Sequence, residues 1–170
     1  QIPFATTMMA KGIIDEAHPL SLGCIERGRR QIQRSFLRRS DLVVGLGYDT
    51  VEVEYEAWIG AVPLLHVDIE DADVDETVQL RHQVIGDLKT TLEYLATASI
   101  TPNQWTADEL VAHRREFQQA LRPELSAFTP HQAIDVVREV LPHDGILAFD
   151  VGAHTHQIAS QWTAHVHHTF

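Results

Sequence analysis
Cysteine is all but absent: Cys24 stands alone in 170 residues, so no intramolecular disulfide can form and no metal site can be built on cysteines. Long apolar runs are missing too, none approaching the ~20 residues of a membrane-spanning helix. The N-terminus lacks the basic region followed by an apolar one that marks a secretory signal. Positive charge is scarce. With 13 Lys and Arg against 24 Asp and Glu, the formal net charge is -11, which argues against a general nucleic-acid binder held by phosphate contacts. Together these gaps predict a cytoplasmic protein that engages neither nucleic acid nor membrane. The local exception is "RGRRQIQRSFLRR", Arg27 to Arg39, with six arginines. Ile32, Phe36 and Leu37 share one helical face there, so the segment is expected as an amphipathic helix with a solvated basic face.

What is present is enough apolar material for a real core, 44% of residues. Short apolar runs recur at Ile2 to Thr7, Leu42 to Leu46, Val62 to Asp68 and, less clearly, Val78 to Val84. The run in "DLVVGLGYDT" is rich in β-branched residues and reads as a strand covered on both faces, the habit of parallel sheets. Helical patterns lie between and after these runs, at Arg27 to Arg39 and at "DLKTTLEYLATA", where Leu88, Leu92 and Leu95 share a face. Alternation of this kind predicts an α/β fold with a doubly wound parallel sheet.

The composition then changes. Ser99 to Pro130 is polar and holds three prolines, which reads as a connector carrying one helix that starts with a capping box, Thr106 with Glu109. Thr129 caps a further helix with Pro130 at its first position and Ile134, Val137 and Leu141 on one face. "GILAFDVGAH" then supplies another buried strand, Ile146 to Asp150, so part of a second α/β unit follows the connector. The chain opens directly on a strand-like run without a methionine and stops at "HVHHTF" without a helix cap; both ends are expected to be cuts within a longer protein.

Two strand ends carry the candidate chemistry. Gly45 and Gly47 let the backbone after the first apolar strand approach a ligand that a Cβ would exclude, and Tyr48 follows them. About twenty residues on, Asp68 ends "LLHVD", where a Rossmann-type site places a carboxylate on a ribose diol. The glycines do not complete GxGxxG, and the competing reading has Asp68 capping the next turn. At the second strand end, in "DVGAHTHQ", Gly152 gives the backbone room and His154 sets an imidazole beside it, a pairing suited to a phosphate oxygen. His165 and His167 alternate in "HVHH" and so share one face of a strand, a geometry that chelates a metal when a further ligand lies elsewhere. No such partner is evident in the sequence, and no metal site is assigned.

In this order and spacing, the phrases "PFATTMMAKGIIDEAHPLSLG", "SDLVVGLGYD", "PLLHVDIEDADVD", "VIGDLKTTLEYL" and "FTPHQAIDVVREVLPHDGILAFDVGAH" resemble thiamine-diphosphate-dependent enzymes of the acetolactate synthase type. The resemblance implies a Rossmann-like central domain over 1–98, lacking its first strand and helix, a linker over 99–127, and over 128–170 the truncated start of the diphosphate-binding domain. Asp150, Gly152 and His154 sit on the family's D-x-G-x-H phrase, which carries cofactor contact onto Gly152, Ala153 and His154. The glutamate that activates the thiamine ring would precede this chain, and the GDG…N motif that holds Mg2+ would follow Phe170. Hence no catalytic residue is expected within these residues, and the fragment is expected to be inactive alone. The intact protein is implied to use thiamine diphosphate and Mg2+ on a 2-oxo acid, as a decarboxylase or carboligase, and to be a homodimer or homotetramer. Relatives' central domains bind FAD, ADP or nothing; "GLGYDTVEVEYE" lacks the arginine-bearing phrase of the FAD binders, which counts against FAD. The rival reading is a stand-alone FAD-, ADP- or NAD-binding module whose whole site is Gly45, Gly47 and Asp68, and a third is a regulatory domain with no ligand.

Overall fold
The computed structural model describes residues 2–53, 58–99 and 103–170. Residues 54–56 of the "GLGYDTVEVEYE" phrase and 100–102 of the expected connector lie outside the described residues. The chain divides into two compact units, one of Gln1–Gln33 with Asn103–Phe170, the other of Arg34–Pro102. The division falls inside the first helix, α1 (Arg30–Leu37).

In the Arg34–Pro102 unit, three parallel strands, β3 (Val43–Leu46), β4 (Leu64–Asp68) and β5 (Leu80–Ile85), stand in the order β3-β4-β5. The register sets Gly45 opposite His66, Leu46 opposite Val67, and Asp68 opposite Ile85. The helix α2 (Leu88–Thr97) follows β5 and is started by Asp87, whose carboxylate accepts the Thr90 N–H at 2.8 Å. Parallel strands with flanking helices are the doubly wound α/β arrangement expected from the alternating apolar runs. Phe36, Trp58, Ile59, Val62, Leu64 and Val67 make the core. One expectation needs correction. β3 is not covered on both faces, because Val44 and Leu46 remain 42% and 47% exposed while Gly45 is buried. In α2 no residue is buried, and Leu92 is exposed. Of the six arginines in the basic segment, Arg27, Arg29, Arg38 and Arg39 are exposed as expected, and two stack on rings. Arg34 lies over the Trp58 ring at 5.1 Å and Arg39 over Phe36 at 5.4 Å, the stacking that a planar guanidinium favours.

The other unit pairs β1 (Phe4–Thr6) in parallel with β2 (Ser21–Cys24). It adds three helices, α3 (Ala107–Leu121), α4 (Pro130–Val140) and α5 (Ala153–Gln161). The capping box that the sequence predicts for α3 is formed: Thr106 Oγ1 accepts the Glu109 N–H at 3.2 Å, and the Thr106 N–H donates to Glu109 Oε2 at 3.0 Å. Although the segment reads as a connector, α3 buries Leu110, His113, Phe117 and Leu121 against β2 and α5. A buried polar bridge crosses this core, with Gln33 Nε2 donating to the carbonyls of Leu22 (2.9 Å) and Cys24 (3.1 Å) and His113 Nε2 2.8 Å from Gln33 Oε1. β2 and α5 are elements that the apolar pattern does not reveal. Conversely, Ile146 to Asp150, read as a strand, pairs with no strand among the described residues and is tied by one backbone bond, Leu147 N–H to the Thr169 carbonyl at 2.9 Å. An apolar run becomes a strand only beside another backbone edge.

Candidate functional site
The first expected site lies in the three-stranded sheet. Gly45, Gly47, Tyr48 and Asp68 stand at the carboxyl ends of the neighbouring strands β3 and β4. Gly47 takes a left-handed conformation, φ +57°, that disfavours any side chain. Its N–H donates to the Val67 carbonyl at 2.9 Å, which carries the β3–β4 ladder one residue beyond Leu46. Tyr48 is half-buried, and its phenol is pushed up to about 12, by burial first and then by the charge of Asp49. Asp68 accepts the N–H of its own neighbour Ile69 at 2.6 Å, so part of its acceptor capacity closes a local turn.

One residue here escapes sequence reasoning. His66, 2% exposed, lies behind these groups with Nε2 2.9 Å from the Tyr48 carbonyl. A carbonyl only accepts, so Nε2 donates to it and leaves Nδ1 as the second polar atom of the ring. That Nδ1 is buried and has no hydrogen-bond partner among the described residues. Only the packed fold reveals such an orphan.

The second expected site is the entry to α5. Gly152 is extended (φ 164°), a conformation any residue adopts. What matters there is the missing Cβ, which would lie 2.8 Å from the His154 ring. The Gly152 N–H donates to Thr155 Oγ1 at 3.1 Å, and that hydroxyl reaches back to the Asp150 carbonyl at 3.3 Å. Thr155 thus fixes the turn, while Ala153 and His154 are exposed. Their first-turn amides have no acceptor inside the helix, and the helix dipole adds positive potential, so the turn is suited to a phosphate. These residues fit one edge of a diphosphate. Gly45 and Gly152 fall in different compact units.

The histidine cluster does gain neighbours. His165 Nδ1 is 3.0 Å from Asp15 Oδ1, and its ring stacks on His143 at 4.2 Å. Asp15 is held below the usual carboxylate range chiefly by the Ala17 N–H, against a small opposing effect of burial and with further help from His165. Still, the described residues contain no group of three or more His, Cys, Asp or Glu placed to hold a metal ion. A hollow of about 660 Å³ at the end of α3, between Arg115, Gln118, Arg122 and Glu124, contains none of the expected site residues. No helix among the described residues is long and apolar enough to cross a membrane.

Comparison with known proteins bears on both strand ends. The chain is 27% identical to acetolactate synthase 2, chloroplastic, of Zea mays over 173 residues, covering 95% of this chain and 27% of that protein. It is 27% identical to the acetolactate synthase isozyme 1 large subunit of Escherichia coli (strain K12) over 168 residues, 96% of this chain and 29% of the relative. It is 28% identical to oxalyl-CoA decarboxylase of the same organism over 169 residues, 91% and 28% respectively. The chain therefore spans less than a third of the length of these relatives. A family model described as "Thiamine pyrophosphate enzyme, central domain" matches residues 1–95, more than half of the chain, and by that match the chain belongs to the thiamine pyrophosphate enzymes.

Proposed function
We propose that this chain is a portion of a thiamine-diphosphate-dependent enzyme that acts on a 2-oxo acid as a decarboxylase or carboligase of the acetolactate synthase kind. The observation that supports it is the α5 entry: the "DVGAH" phrase at an exposed helix N-terminus, with Gly152, Ala153 and His154 arranged to hold one edge of a diphosphate. Bound cofactor supplies the electron sink for decarboxylation. The chain's own share is binding and orientation, by first-turn amides, by the His154 imidazole and by a turn that Thr155 fixes. Residues 1–98 serve as the central domain, 99–127 as linker and 128–170 as the start of the cofactor-binding domain. Mg2+ would complete the site with ligands beyond these residues. The intact enzyme is a homodimer or homotetramer in the cytoplasm, and these 170 residues turn over no substrate alone.

Titration of the chain with inorganic pyrophosphate, followed by amide chemical shifts, tests the binding edge. Shifts at Ala153 and His154 that vanish in Gly152→Val support the reading, since the added side chain drives the His154 ring out of place. Shifts scattered over surface lysines and arginines, unchanged in the variant, refute it. Turnover of a 2-oxo acid above background with thiamine diphosphate and Mg2+ present would contradict the proposed lack of activity.

A second reading is favoured by the orphan Nδ1 of His66 and the left-handed Gly47: the tip of β3 and β4 as a nucleotide site for ADP, FAD or NAD, with Gly45, Gly47, Tyr48 and Asp68 as its residues. Calorimetric titration with each nucleotide separates this module from one that holds no ligand. Heat that Asp68→Ala abolishes supports it, and no heat with any of the three rejects it.

A further inference from the structure
Lys11 and Glu16 are five residues apart in sequence and look like ordinary surface charges. In the fold their side chains are 1% and 5% exposed and 2.7 Å apart. Every polar group of the pair is used. The Lys11 ammonium donates to Glu16 Oε1 (2.9 Å), to Glu16 Oε2 (2.7 Å) and to the Trp162 carbonyl (2.7 Å). The Glu16 carboxylate also accepts Thr6 Oγ1–H from β1 at 3.0 Å and the Ala164 N–H at 2.8 Å, while the Glu16 N–H donates to the Ala164 carbonyl at 3.0 Å. Beside them Gly12, φ +81°, lets the loop touch backbone on backbone; a Cβ there would lie 2.5 Å from the Val166 carbonyl oxygen.

Trp162 is the C-cap residue of α5, so the ammonium sits at the negative end of the helix whose other end offers amides to an anion. Farther along α5, His156 Nδ1 meets Glu26 Oε1 at 3.0 Å. Thus residues 11, 16 and 26, all inside the segment matched as central domain, grip a helix that lies outside that segment. A buried ion pair adds little net stability over an apolar pair, and its best-attested use is to fix register. A nine-residue helix is a rod about 13 Å long, so fixing its end and flank fixes its first turn.

We propose that the Lys11–Glu16 pair is an interdomain latch: these two positioning residues, with Glu26, hold α5 so that the amides of Ala153 and His154 stand ready for the diphosphate. The proposal rests on the diphosphate reading of α5 given above. Neither residue touches cofactor or substrate; they act through the helix.

The test compares the wild-type chain with Lys11→Met/Glu16→Leu, an apolar pair of similar volume that strands no charge. Amide hydrogen exchange is read by NMR, with and without inorganic pyrophosphate. The latch predicts a variant with an unchanged thermal midpoint and unchanged exchange in β1 and β2, but α5 amides exchanging at least about tenfold faster. Shifts induced by pyrophosphate at Ala153 and His154 would weaken with them. A folded variant whose α5 exchanges like wild type overturns the latch. Should the double variant not fold, Glu16→Asp carries the same comparison, since it keeps the charge but draws the carboxylate one methylene away from Ala164. If wild type shows no pyrophosphate-dependent shift, the diphosphate reading fails, and the exchange data taken without pyrophosphate still decide whether the latch exists.

Discussion
Tyr48 joins the turn after β3 to the protein's behaviour in alkali. Its phenol, pushed up to about 12 from an ordinary 10.0 mainly by burial, keeps its proton in the folded chain after the unfolded chain has lost it. A raised folded value means that this contribution is fully present below pH 10 and is lost as pH rises towards 12. Tyr48→Phe should therefore flatten the fall in stability across that window and leave stability near neutrality almost unchanged; urea unfolding at a series of pH values measures it. The place of Gly47 and Asp68 at the strand tips was legible in the sequence, because a glycine suits the left-handed turn after β3 and a short apolar run shows where β4 ends. His66 and the Lys11–Glu16 pair were not. A histidine in an apolar run and two charges five residues apart carry no mark of burial until distant backbone closes over them.

Among the elements, those with an end signal or an apolar pattern were read in place, and β2 and α5, which have neither, were missed. α3 and α4 announce themselves through Thr106 with Glu109 and through Thr129 with Pro130; the Thr106 side chain caps α3, whereas at α4 the Thr129 N–H donates to Gln132 Oε1 at 2.9 Å and the Thr129 side chain makes no cap bond. α5 has no apolar period: the residues it buries are Ala159, Ser160 and Gln161, small or polar side chains that pass for a loop. β2 is four residues of "SLGC", buried because β1, α3 and α5 surround it and not because its composition is apolar. Ile146 to Asp150 shows the opposite error, since its composition is right and a partner edge is what it lacks. The relative weight of core and cap in α3 can be measured. Phe117→Ala, at a side chain 1% exposed, should lower unfolding free energy by about 3–5 kcal/mol, whereas Thr106→Ala should lower it by about 1 kcal/mol. Equal urea midpoints for the two variants would contradict the packing described for α3.

Over the whole molecule, apolar surface is distributed unevenly. In the three-stranded sheet, Val44, Leu46 and Val84 on the flanking strands remain 42%, 47% and 40% exposed, whereas Val67 between Leu46 and Val84 is buried. Exposed apolar side chains on both sides of a buried strand are surface that apolar dyes recognise. The chain should accordingly enhance the fluorescence of an apolar dye, and Val44→Thr/Leu46→Thr should reduce that signal at an unchanged urea midpoint. A different consequence follows from the bond between Lys11 and the Trp162 carbonyl, whose ends are 151 residues apart. During synthesis at roughly 5–20 residues per second, the lysine leaves the ribosome many seconds before its acceptor exists. Until then the Lys11–Glu16 pair lacks the Trp162 carbonyl and the Ala164 N–H, so its full set of hydrogen bonds closes only after translation has passed residue 164.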